Sequence, residues 1–194
     1  MYNMEVFPLK RQINQKIYAL FEQLKLQLKD TEQHKQFIFP PGTDNSTGKI
    51  SQGENYDSFP WVMLDFPKLF NKQEIFAFRT LFWYGHYFSF SLVLAGGVAA
   101  YFLPQIIKGR SILNGKGLFF TKFDDPWQHA ITAENCLPVE NVTDEQFAKH
   151  VKEYGFLKIA AKINSADPEE ILTNAEKFYS IFLTLLSGGT YSDH

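Results

Sequence analysis

The sequence predicts an α+β domain: a central antiparallel, phenylalanine-rich sheet with amphipathic helices from the N-terminal and C-terminal parts of the chain packed on it. Three observations carry that prediction. Apolar residues recur at three- and four-residue spacing near both ends of the chain. Between Ile75 and Ala95 they form an aromatic-dense run interrupted by Tyr84-Gly85-His86. Strands and helices are also grouped, without the alternation that βαβ units require.

From Leu9 to Lys29, Ile13, Ile17, Leu20, Phe21, Leu24 and Leu28 make one apolar stripe among Lys, Gln and Glu, the pattern of an amphipathic helix. A short run, Phe37-Ile38-Phe39, leads into Pro40 and Pro41. Residues 41–58 are then rich in Gly, Ser, Asn and Asp and predict an exposed loop, whether mobile or fixed. Phe59 to Phe66 reads as a strand with Pro60 near its start.

In the aromatic run, pairing Trp83 with Tyr87 across a three-residue turn places Phe76, Phe78, Phe82, Phe88, Leu92 and Leu94 on one face, with Thr80 opposite Phe90. The other face carries Arg79, Leu81, Trp83, Tyr87, Ser89 and Ser91. A one-residue slip would send the Phe-rich set of one strand to the wrong side, so the pattern itself fixes the register.

Gly96-Gly97 ends the second strand, and Val98 to Ile107 predicts a short helix that Pro104 would kink or end. A further strand is expected from Gly117 to Phe123, with an irregular or weak strand from Ala130 to Val139. The motif Thr143-Asp144-Glu145-Gln146 has the form of a capping box for a helix that Gly155 would stop. Leu157 to Ile163 alternates as a half-buried strand. Asp167-Pro168 then opens a last helix with its apolar face on Ile171, Ala175, Phe178, Ile181, Phe182 and Leu185.

The 194 residues predict one domain without a linker, and 45% hydrophobic content is enough to bury a core unaided by disulfides or a metal. A net charge of −2 without a basic run argues against nucleic acid as a partner. The longest apolar stretch, Phe88 to Leu103, is broken by serines and glycines and is too short for a membrane span, so no membrane partner is expected. One cysteine and no signal-like apolar run at the N-terminus point to the cytoplasm. The P-loop, dinucleotide, nucleophile-elbow, zincin and CxxC motifs do not occur, and the five histidines are scattered. No cofactor or metal site is therefore expected.

One constellation has chemical interest. If Phe59–Phe66 pairs with Ile75–Trp83 through a loop centred near Phe70, Trp61, Met63 and Asp65 share a face with Arg79, Leu81 and Trp83, and Trp61 lies opposite Arg79. An Arg stacked on Trp could present its planar fork to a carboxylate or phosphate. With Tyr87 beside it and His86 in the turn, this face predicts a surface for a small anionic or aromatic ligand, or for a partner segment. The candidate residues are Trp61, Asp65, Arg79, Trp83, His86 and Tyr87. The same stripe also reads as core beneath another element, with Arg79 paired to Asp65. Asp124, Asp125 and His129 form a possible acid-base or metal cluster, for which turn formation before Pro126 is the simpler account. Three functions stay open. They are a non-catalytic binding protein, a hydrolase or transferase using Asp65, His86 and Arg79 as base, acid and anion clamp, and a homo-oligomeric assembly protein.

Overall fold

The computed structural model describes residues 6–188 of the 194-residue chain. Two helices come first, α1 (Val6–Asp30) and the short α2 (Glu32–Gln36), followed by strands β1 (Lys49–Tyr56), β2 (Phe59–Phe70), β3 (Ile75–Trp83) and β4 (Phe88–Ala95). Helix α3 (Gly97–Gly109), strands β5 (Phe119–Thr121) and β6 (Cys136–Pro138), helix α4 (Asp144–Tyr154), strand β7 (Phe156–Ile163) and helix α5 (Pro168–Leu186) complete the chain. The strands form a seven-stranded antiparallel sheet in the order β1-β2-β3-β4-β7-β5-β6, the α+β architecture expected. Among the described residues no helix is long and apolar enough to cross a membrane.

All the helices pack on one face of this sheet. Phe76, Phe78, Phe88, Phe90, Leu92 and Leu94 are buried there against Phe21, Phe102, Phe147, Phe178 and Phe182 of the helices. The hairpin register is the one the alternation requires, with Phe82 opposite Phe88, Thr80 opposite Phe90 and the turn closed by Trp83 N donating to Tyr87 O at 3.0 Å. Both predicted helix starts are present. Thr143 and Gln146 make a reciprocal capping box, Gly155 ends α4 at φ 73°, and the Asp167 side chain accepts from Glu169 N ahead of Pro168.

Four expectations are corrected. Residues 41–58 contain the edge strand β1, whose polar side chains hide it from pattern reading because its backbone pairing with β2 holds it in place. Strand β2 runs past Phe66 through the cis Phe66–Pro67 bond and an irregularity to Phe70, so the turn falls at residues 71–74. Trp61 therefore pairs with Trp83, and Arg79 with Asp65. That shift of four residues keeps every side chain on its predicted face, since the strand period is two. Strand β7 is buried on both faces from Phe156 to Ala161, because residues 122–135 cover the sheet face away from the helices.

Helix α3 also continues through Pro104. The ring leaves the Ala100 carbonyl without its helical donor, and Ala100 is exposed to solvent that can replace it.

Candidate functional site

The face of the sheet away from the helices carries the charged residues of the central strands, and the loop of residues 122–135 lies over it as a strap. Backbone groups on the inner side of the strap are hydrogen-bonded to side chains rising from the sheet. The Tyr56 hydroxyl accepts from His129 N and Ala130 N, both at 3.0 Å, and the Tyr87 hydroxyl accepts from Ile131 N at 2.8 Å. The Lys158 ammonium donates to Pro126 O at 3.2 Å and to Gln128 O, while Lys162 donates to Ile131 O at 2.8 Å. Asn135 closes the strap on itself, donating to Ala130 O and accepting from Thr132 N.

Beneath the strap, Asp65 and Arg79 form a side-on ion pair, Nε to Oδ1 at 2.7 Å and Nη2 to Oδ2 at 3.1 Å, with both residues buried. The bidentate geometry uses the Nε–Nη2 edge of the guanidinium and turns Nη1 away from the carboxylate. Arg79 Nη1 has no hydrogen-bond partner among the described residues. Trp127 of the strap covers the guanidinium, 5.0 Å from ring centroid to Cζ, a contact that contributes about 0.5–2 kcal/mol. The aromatic lid thus comes from the strap, where Trp61 was expected.

Arg79, Lys158, His129, Ser89 and Ser91, together with three apolar side chains, line a small chamber next to this pair. Its volume is about 10 Å³. Burial and the nearby Arg79 push the Lys158 ammonium down to about 7. Burial and the cations of Lys158 and Arg79 push His129 down to about 3, so its ring is neutral against Tyr56 and Trp61. Cys136 is buried beside Thr121 and burial raises its thiol, the opposite of what a nucleophile needs.

The other candidate residues divide. Trp61, Trp83 and Tyr87 share a small apolar cluster with Met63 and Leu81 under Tyr56 and Ala130. His86 is exposed in the hairpin turn, stacked on Trp83 at 3.7 Å, beside an open cleft of about 290 Å³ reaching Asn164 and Ser165. His86 stacks on Trp83, and Trp83 and Arg79 are four residues apart on β3, roughly 13 Å at the rise of a strand, so the geometry does not gather Asp65, His86 and Arg79 around one point. Asp125 accepts from Trp127 N within the strap, a turn role. Among the described residues no group of three or more His, Cys, Asp or Glu is placed to hold a metal ion.

Sequence reasoning missed a groove of about 410 Å³ on the helix side of the turn between β2 and β3. Phe37 ends α2 in an extended conformation, and the two prolines that follow cannot donate backbone hydrogen bonds, which keeps this segment out of regular structure. Phe37 and Phe39 anchor it by ring contacts to Phe76 and, from Phe37, to Phe102. Ile38 between them is turned outward at 90% exposure, and Tyr101 on α3 is 68% exposed across the groove. At one end Asn71 Oδ1 accepts from Gln73 N and Glu74 N, holding the turn, and Glu74 Oε2 accepts from Val98 N at 2.8 Å. Gly96 precedes α3 at φ 69° and has no side chain to cap the helix, so Glu74 caps it from the neighbouring turn. A Cβ on Gly96 would lie 1.9 Å from Gln73 O, which explains the glycine. The signal available in the sequence was Phe-Ile-Phe-Pro-Pro, a cluster of apolar residues with no helix or strand to absorb it.

Comparison with protein families, with curated proteins and with solved structures found no match to this chain.

Proposed function

We propose that the protein is a non-catalytic binding protein and that its ligand site is the groove between the Phe37–Pro41 segment and the start of α3. The observation that carries this reading is the groove itself. At about 410 Å³ it lies within the usual range of small-ligand sites, has apolar walls from Phe39, Leu69, Val98 and Phe102, and is flanked by the exposed Ile38 and Tyr101.

Its chemistry favours an aromatic ligand over an anionic one. Among the described residues the acidic side chain in the lining is Glu74, already bound at the N-terminus of α3, where its carboxylate answers the positive end of the helix dipole. An anion would meet this carboxylate, whereas an aromatic ring carrying an amine or other donor gains a hydrogen bond from it. The small aromatic ligand is therefore the occupant to which the site commits.

A thermal-shift screen of aromatic amines, uncharged aromatics and aromatic acids against the unmodified protein and a Tyr101→Lys variant tests the reading. A ligand at 100 times its dissociation constant stabilises by roughly 2.7 kcal/mol. Aromatic amines are expected to raise the midpoint of the unmodified protein and to lose that effect in the variant. Equal stabilisation of both proteins would refute the site.

A further inference from the structure

We propose that the small chamber beneath the strap is a binding site for one monatomic anion of the halide class, held between Arg79 Nη1 and the Lys158 ammonium. Arg79 is 4% exposed and bound to Asp65 through its Nε–Nη2 edge, so Nη1 is a buried donor on the opposite edge with no acceptor among the described residues. An unsatisfied buried donor of a charged group is costly, and such groups are normally paired.

Charge points the same way. Among the described residues the chamber lining contains Arg79 and Lys158 and no carboxylate. Asp65 neutralises Arg79 from the far edge. Lys158 donates to two backbone carbonyls, which satisfy hydrogen bonds and bring no negative charge. Of the groups that act on Lys158 electrostatically, Asp125, Asp65 and Cys136 all lie outside the lining. An anion in the chamber supplies the missing counter-charge, with Ser89 and Ser91 available as hydroxyl donors.

Size selects the kind of anion. A chamber of about 10 Å³ leaves room for a monatomic ion and none for phosphate, sulfate or a carboxylate unless the strap moves. The strap is fixed by two tyrosine hydroxyls and two lysine ammoniums, so the chamber is preorganised. It lies on the sheet face opposite the groove's helices and does not depend on the groove binding anything.

The test uses the unmodified chain crystallised in sodium bromide, with diffraction recorded at the bromine absorption edge. In parallel, unfolding midpoints are measured in sodium chloride, sodium sulfate and sodium gluconate at matched ionic strength. The expected results are an anomalous peak between Arg79 Nη1 and Lys158 Nζ, and a saturable rise in midpoint with chloride but not with sulfate or gluconate. Lys158→Gln is expected to weaken the apparent chloride affinity at least tenfold. If that variant does not fold, the bromide diffraction decides alone. No anomalous peak in the chamber, or midpoints that are the same in chloride and gluconate, would overturn the proposal, and so would a saturable stabilisation by sulfate, which differs from the non-saturating effect of an excluded salt.

Discussion

Replacing Asp65 with Asn removes the carboxylate that is hydrogen-bonded to Arg79 and leaves the guanidinium buried under Trp127 without that counter-charge from the protein. Breaking a buried ion pair from one side costs about 3–5 kcal/mol, against a total stability of about 5–15 kcal/mol for a domain. For a chain of this length each kcal/mol moves the thermal midpoint by about 2–4 °C, so Asp65→Asn is expected to lower it by roughly 10 °C. Replacing both partners, Asp65→Leu with Arg79→Met, removes both desolvation penalties and is expected to recover most of that loss. Thermal unfolding followed by circular dichroism on the single and double variants measures the difference. A drop for Asp65→Asn worth less than about 1 kcal/mol, or a double variant less stable than the single, would refute a solvent-excluded pair.

Three other outcomes follow from the same geometry. His129 is held neutral down to about pH 3, so its contribution is fully present above its unfolded value of about 6.5 and is lost as pH falls toward 3. Near pH 5 the loss is about 2 kcal/mol, and urea midpoints near pH 7 and pH 5 should differ more in the unmodified protein than in His129→Gln. Burial also lowers His34 and His150, which adds to the acid lability that remains in the variant. Tyr56→Phe strips two strap amides of their acceptor, at about 1–3 kcal/mol, and should accelerate hydrogen exchange at His129 and Ala130 while leaving Phe90 and Ile159 protected. Unchanged exchange in the strap would show that these bonds do not hold it. Thr143→Ala breaks the capping box of α4 and should lower stability by about 1 kcal/mol in denaturant titration, with no loss counting against the cap.

The sheet was legible because its alternation leaves one workable register. The Phe-rich face of β3 and β4, the turn at Tyr84-Gly85-His86 and the caps at Thr143 and Asp167 all follow from local rules that tertiary packing respects. Asp65, Arg79, Trp61 and Trp83 were placed on the correct common face even though Trp61 was set opposite Arg79, since the register error was an even number of residues. Strand β1 was not legible because an edge strand with Gln, Gly, Glu and Asn gains its stability from backbone pairing. The strap was hidden for a different reason. Tyr56, Tyr87, Lys158 and Lys162 are separated from it by up to 74 residues, and nothing in the sequence of residues 122–135 reveals that side chains from four distant positions satisfy its backbone. The groove depends in the same way on Glu74 reaching the first turn of α3, a contact across 24 residues.

The groove as ligand site is tested most directly by mapping amide chemical shifts of the unmodified protein titrated with tryptamine and, separately, with benzoate. Tryptamine carries an aromatic face for Phe39 and Phe102 and an ammonium for the Glu74 carboxylate, whereas benzoate brings an anion to the same carboxylate. The account predicts saturable shifts confined to Ile38, Glu74, Val98 and Tyr101 with tryptamine and little response there to benzoate. Shifts centred on Trp83, His86 and Tyr87, or an equal response of the groove to both compounds, would contradict it.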